Sequence, residues 1–150
     1  MRVNKGNLSI NARQDGFDGH DVSSGSIHTH GKFDFKYGYV EVKAKIPTGK
    51  GTWPAIWMLG SYIDKVGWPT CGEIDIMENV GMDPEKVHFN IPLKGPGKGS
   101  NITVPKAWDD FHTYGLEWTP TYLRVYFDGK QTLEFPKTSD KPELWPFDEK

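Results

Sequence analysis

The chain has 150 residues, with 18 Lys and Arg against 20 Asp and Glu and a formal net charge of −2. That near-neutral balance gives no electrostatic reason to expect nucleic acid or an anionic membrane as a partner. The single Cys71 excludes an internal disulfide, no apolar run is long enough to span a bilayer, and Met1-Arg2-Val3-Asn4 leads into polar sequence and not into a secretory leader.

The length suits one domain, residues 1–150, built around a single core. Six Trp together with 17 Gly and 11 Pro suggest strands joined by many turns, with aromatic surface available for stacking a ligand. Hydrophobic periodicity is two almost throughout. Val40, Val42, Ala44 and Ile46 alternate with Tyr39, Glu41, Lys43 and Lys45, an amphipathic strand. Gly49-Lys50-Gly51 is a turn. Residues 53–59, Trp-Pro-Ala-Ile-Trp-Met-Leu, are apolar on both faces and predict a central strand, with Pro54 marking a strand start or a bulge. Cys71 is expected to be a small buried residue beside the next strand.

That next strand, Glu73-Ile74-Asp75-Ile76-Met77-Glu78, carries the chemistry. Side chains alternate along a strand, so Glu73 and Asp75 share one face while Ile74 and Ile76 fill the other. Glu78 has the wrong parity, and a β-bulge near Ile76-Met77 would bring it back to the side of Glu73. Three acids in a row repel one another, which a chain needing only a stable sheet has no reason to accept. Retaining glycosidases use such residues: one carboxylate as nucleophile and one carboxylic acid as proton donor, about 5–5.5 Å apart. Glu73 and Glu78 would have Cα atoms roughly 13 Å apart at strand rise, so their side chains must lean toward each other. Asp75 between them can hold a proton or a hydrogen bond to the nucleophile and push the two Glu pKa values apart. Two plainer readings are a metal site and a solvated acidic strand. The first lacks a His at ligand spacing, and the second sits poorly with Ile74, Ile76, Met77 and Val80.

Residues 86–91 alternate again. Residues 92–100, rich in Gly, Lys and Pro, predict a mobile loop, and residues 105–110 one short turn. Residues 111–118 predict a further strand, with Tyr114 and Trp118 in the core. Residues 122–127 and 130–135 flank Asp128-Gly129, a strong hairpin signal because both turn residues tolerate positive φ. Trp145 also reads as core. No window has a helical apolar stripe. The fold class that fits is all-β, an antiparallel β-sandwich.

These segments together carry a resemblance. Gly72-Glu73-Ile74-Asp75-Ile76-Met77-Glu78 resembles the bulged signature of glycoside hydrolase family 16, in its laminarinase-like branch. Lys36-Tyr37-Gly38-Tyr39-Val40-Glu41-Val42-Lys43-Ala44-Lys45-Ile46-Pro47, Gly51-Thr52-Trp53-Pro54-Ala55-Ile56-Trp57-Met58-Leu59, Phe111-His112-Thr113-Tyr114-Gly115-Leu116-Glu117-Trp118-Thr119-Pro120 and Val125-Tyr126-Phe127-Asp128-Gly129 are similar to that branch in the same order. The resemblance implies a jelly-roll sandwich of the concanavalin A-like kind with a glucan cleft. It implies retaining hydrolysis of internal β-1,3-glucosidic bonds in a β-glucan polysaccharide or oligosaccharide, with mixed-linkage glucan as a further substrate.

By position, it makes Glu73 the nucleophile, Asp75 its assisting carboxylate and Glu78 the acid/base. Trp53 and Trp57 fall in a segment that lines the family's cleft, with the alternative that one of them is core. Trp68 is a weaker cleft candidate, and His88 is either a cleft residue or a buried, hydrogen-bonded histidine. A second family His is replaced here by Pro92. The family's terminal strands lie outside this sequence, and most of its calcium ligands with them, so a shortened catalytic domain without metal or cofactor is expected. Open sheet edges in such a domain predict pairing into a homo-oligomer. The resemblance further implies an extracellular or periplasmic protein. The alternative to an enzyme is a glucan-binding scaffold that has lost turnover.

Overall fold

A computed structural model describes residues 1–150, which divide into two compact units, Met1–Phe33 and Asp34–Lys150. The first unit opens with a hairpin of β1 (Arg2–Asn4) and β2 (Asn7–Ser9), with Arg2 opposite Ser9. Its turn residues Lys5 and Gly6 both take positive φ, 48° and 77°, which matches the twist of tightly connected strands. A 3₁₀ turn at Phe17–Gly19 follows, and Arg13 and Ser23 exchange backbone hydrogen bonds of 2.8 and 2.9 Å. Apolar side chains of this unit, among them Val3, Phe17 and Phe33, are exposed.

The second unit is an antiparallel β-sandwich. One sheet has the order β10-β9-β8-β3 and the other β4-β5-β6-β7. The elements are β3 (Gly38–Ala44), β4 (Ala55–Leu59), a one-turn helix α1 (Ile63–Val66), β5 (Glu73–Asn79), β6 (Lys86–Ile91), β7 (Lys98–Thr103), β8 (His112–Trp118), β9 (Tyr122–Phe127) and β10 (Lys130–Pro136). The period-two pattern does what it predicts. On β6, Val87, Phe89 and Ile91 are buried between residues that are exposed or half-buried, and on β8, Tyr114, Leu116 and Trp118 point inward. These side chains meet Ile74, Ile76 and Met77 of β5 and Leu123 and Val125 of β9 between the sheets. Burial of each such aliphatic side chain contributes on the order of 1.5–3 kcal/mol. Trp145 and Phe147, from the segment after β10, complete this core.

Two expectations need correction. Residues 53–59 do not make a central strand: β4 starts at Ala55, directly after Pro54, and pairs only with β5. Its apolar outer face reflects exposed tryptophans, not burial on both sides. The expected loop of residues 92–100 ends earlier, because Lys98 already pairs with Ile91 in β7. The polar, Gly-containing stretch Lys98-Gly99-Ser100-Asn101 hid this strand from a reading of hydrophobic alternation.

The Asp128-Gly129 hairpin forms as expected, with φ of 47° and 74° at the two turn residues and Lys130 opposite Phe127. A Cβ at Gly129 would meet no atom within 4 Å, so its substitution acts on the backbone alone. Gly129→Ala should therefore destabilise the sandwich by about 1 kcal/mol. The midpoint of urea unfolding reads this directly, and an unchanged midpoint would show that the turn relaxes to another type.

Candidate active site

β5 is the middle of the site. Against β6, Asp75 faces Asn90 and Glu78 faces His88, so three steps along β5 match two along β6. Against β4, Met77 faces Ile56 and Asp75 faces Trp57, which again gives β5 one residue more than its neighbour. The bulge thus falls at Ile76-Met77, both of which are buried. Because it resets the alternation, Glu73, Asp75 and Glu78 share the face turned away from the core. Glu73 and Glu78 are half-buried, while Asp75 between them is only 5% exposed.

The start of β5 is fixed from behind. Gly72 has φ of 78°, and a Cβ there would lie 3.1 Å from both Phe147 and Pro146 side chains. Only glycine fits both the conformation and the space. Phe147 and Pro146 are held in turn: Trp118 Nε1 donates to the Phe147 carbonyl at 3.0 Å and the Tyr62 hydroxyl to that of Pro146 at 3.1 Å. Asp148 accepts from Lys137 Nζ at 2.8 Å, Trp145 Nε1 at 3.0 Å and the Tyr37 hydroxyl at 3.3 Å. Cys71, beside this anchor, is buried as expected.

Paired residues of adjacent strands project to the same face, so Trp57, opposite Asp75, stands on the acidic face. Trp53 shares its parity on the approach to β4. Neither belongs to the core: they are 67% and 44% exposed for Trp53 and Trp57 respectively. Each glutamate is held by an indole. Trp53 Nε1 donates to Glu78 Oε1 at 2.9 Å, and Trp68 Nε1, on a side chain 62% exposed, donates to Glu73 Oε2. His88 is half-buried on the same face and makes no side-chain hydrogen bond, so it is not the internally satisfied histidine of the alternative reading. The structure therefore gathers all of Trp53, Trp57, Trp68 and His88 around the three acids. Asn90, opposite Asp75, was not foreseen, although it follows from parity with His88 once the bulge is counted.

Burial, then the charges of Glu73 and Glu78, and last a hydrogen bond with Glu73 push the Asp75 carboxyl up to about 7. Asp75 therefore holds a proton in mildly acidic solution and can donate it in a hydrogen bond to the Glu73 carboxylate. No group of three or more His, Cys, Asp or Glu is arranged to hold a metal ion.

The antiparallel sandwich thus bulges one strand to align an acid triad among exposed indoles. The chain belongs to glycosyl hydrolases family 16, whose family model matches residues 1–149. It is 41% identical over 161 aligned positions to a beta-glucanase of Rhodothermus marinus, covering 99% of this chain and 56% of that protein. A mutant of SCLam, a non-specific endo-beta-1,3(4)-glucanase of this family crystallised with an oligosaccharide, superposes with a TM-score of 0.88 at 40% identity over 92% of this chain and 58% of that one. The laminarinase from Rhodothermus marinus gives 0.86 at 38% identity, over 92% and 60% respectively. The chain thus spans somewhat more than half the length of these relatives.

Proposed function

We propose that this chain is a retaining endo-glucanase that cuts internal β-1,3-glucosidic bonds of laminarin-type β-glucans and accepts mixed-linkage glucan as well. The observation that carries this reading is the bulge that sets Glu73, Asp75 and Glu78 on one face, with Asp75 able to share a proton with Glu73. In the first step the Glu73 carboxylate attacks the anomeric carbon, while Glu78 gives its proton to the leaving glycosidic oxygen. A glycosyl ester on Glu73 and a shortened glucan result. In the second step ionised Glu78 takes a proton from water, whose oxygen attacks the same carbon and releases Glu73. Two inversions return the β-configuration. A polymeric glucan substrate fits action outside the cytoplasm, in the periplasm or beyond the cell.

Purified protein should release reducing ends from laminarin, and proton NMR should show the β-anomer first. An α-anomer as first product would remove the two-step mechanism. Glucan binding without any release would leave a binding scaffold in place of an enzyme.

Trp57 offers an exposed ring beside Asp75, suited to stacking on a pyranose face. Trp57→Ala should weaken laminari-oligosaccharide binding by about 1–3 kcal/mol, judged by the apolar area of the ring. Calorimetric titration of an inactive variant measures this, and unchanged affinity would place the sugar elsewhere.

A further inference from the structure

The sheet β10-β9-β8-β3 lies across the core from the acids, and its outer face is the opposite side of the sandwich. Parity decides what stands there. Leu116 and Val125 pair with each other and are buried in the core, so their neighbours Gly115, Glu117, Arg124 and Tyr126 face out. Val40 pairs with Leu116, which turns Tyr39 and Glu41 outward as well.

Gly115 is buried although it stands on this outer face. The Tyr39 phenol covers it. A Cβ on Gly115 would lie 2.5 Å from the Tyr39 hydroxyl oxygen and 3.1 Å from Tyr39 Cζ. The Tyr39 hydroxyl donates to Glu41 Oε2 at 3.0 Å, so the ring runs along its own strand and lies down on the sheet. Tyr39 nevertheless stays 55% exposed. Tyr126 forms a shoulder beside it, with ring centroids 6.2 Å apart and planes at 60°. Its hydroxyl donates to one oxygen of Glu117 at 2.9 Å, and the Tyr122 hydroxyl donates to the other at 2.8 Å. The phenols spend their protons on carboxylates, and the rings are fixed before any ligand arrives.

The same face excludes other partners. None of the outward residues of β3, β8 and β9 is aliphatic, so it offers no apolar patch for a protein interface. Arg124 is engaged by Glu134 at 2.7 Å, and Glu41, Glu117 and Glu134 outnumber Lys43 and Arg124, which disfavours a polyanion. An open ring beside carboxylates suits a neutral sugar. The C–H groups of a pyranose stack on the ring and its hydroxyls donate to the acids. Glu41 spends one oxygen on Tyr39 and has the other for such a hydroxyl.

We propose that Tyr39, Glu41 and Tyr126 form a second β-glucan site, on the outer face of this sheet, which holds a glucan chain without cutting it. The choice of glucan as the sugar rests on the glucanase reading. Attachment there would keep the acids close to a polymer and raise its effective concentration at them.

In the uncleaving Glu73→Gln background, adding Tyr39→Ala should weaken adsorption to particulate β-1,3-glucan by about fivefold or more, the worth of one stacked ring. Gly115→Ala should do the same without removing the ring, because its Cβ lifts Tyr39 off the sheet. With Glu73 intact, both variants should keep kcat/KM on laminaritetraose within about twofold. Unchanged adsorption, or an equal loss on the tetraose, would overturn the proposal. Amide NMR of the Glu73→Gln protein with laminarihexaose separates the two faces. Signals of Gly115 and Tyr126 should shift, and should cease to do so once Tyr39 is alanine, while those of Asp75 and His88 still respond. Shifts confined to Asp75 and His88 would overturn the second site and leave the glucanase reading in place. Shifts at Gly115 and Tyr126 in a chain whose unaltered form cleaves no laminarin would uphold the site and end the glucanase reading. No shift anywhere would overturn the site.

Discussion

Glu73→Gln should hold laminari-oligosaccharides but turn them over at least about a thousandfold more slowly, because loss of a nucleophile is among the largest single effects in a two-step mechanism. The amide is nearly the shape of the carboxylate and keeps an oxygen to accept the Trp68 indole N–H. Fold and sugar contacts should therefore survive, and the lost property is attack on the anomeric carbon. The change also removes one of the two charges that hold the Asp75 carboxyl high, so Asp75 should titrate lower in this protein. Glu78→Gln should behave differently. A substrate whose leaving group needs no proton, such as a dinitrophenyl glycoside, should still glycosylate Glu73, whereas laminarin cleavage should collapse by about two to four orders of magnitude. Near-normal laminarin turnover by Glu73→Gln would show that the nucleophile is another group. An equal loss on both substrate types in Glu78→Gln would take the proton-donor role from Glu78.

Much of this site can be read from the sequence because its rule is parity. Strand alternation places Glu73 with Asp75, and the misfit of Glu78 requires an inserted residue, which the register places at Ile76-Met77. Asp128-Gly129 similarly dictates its own turn. What parity does not supply is the order of strands across a sheet. Residues 53–59 are apolar on both sides for two unrelated reasons. Ile56 and Met58 pack on the core, while Trp53 and Trp57 offer rings to the open face. A composition that mixes core and ligand surface looks the same as a doubly buried strand. β7 is hidden for the opposite reason, since Gly99 and Asn101 stand on the acids' face of the sheet and leave no apolar alternation to detect. Nor does the sequence reveal that Trp53 and Trp68, twenty-five and five residues from their partners, each tie down one glutamate.

Asp75→Asn should leave stability unchanged near pH 4 and raise it near pH 8. The Asp75 carboxyl titrates near 3.8 when free and near 7 in the folded chain, chiefly because it is buried and then because Glu73 and Glu78 stand beside it. Well below pH 3.8 the group is protonated in both states and costs nothing, and at pH 4 the cost is still small. Between about pH 4 and 7 the unfolded chain gives up the proton while the folded chain keeps it. The unfolded state is favoured progressively, and stability falls as pH rises toward 7. Above that the loss is complete, on the order of 4 kcal/mol at 1.36 kcal/mol per pKa unit. Asparagine cannot ionise, and its amide N–H can still donate to the Glu73 carboxylate as the protonated acid does. The difference in unfolding free energy between the two proteins, followed by urea titration from pH 4 to pH 8, isolates this group because every other titrating residue is common to both. A difference that does not change with pH would mean that Asp75 ionises at its ordinary value. The shared proton beside Glu73, and with it the account of how three acids coexist on one strand, would then be lost.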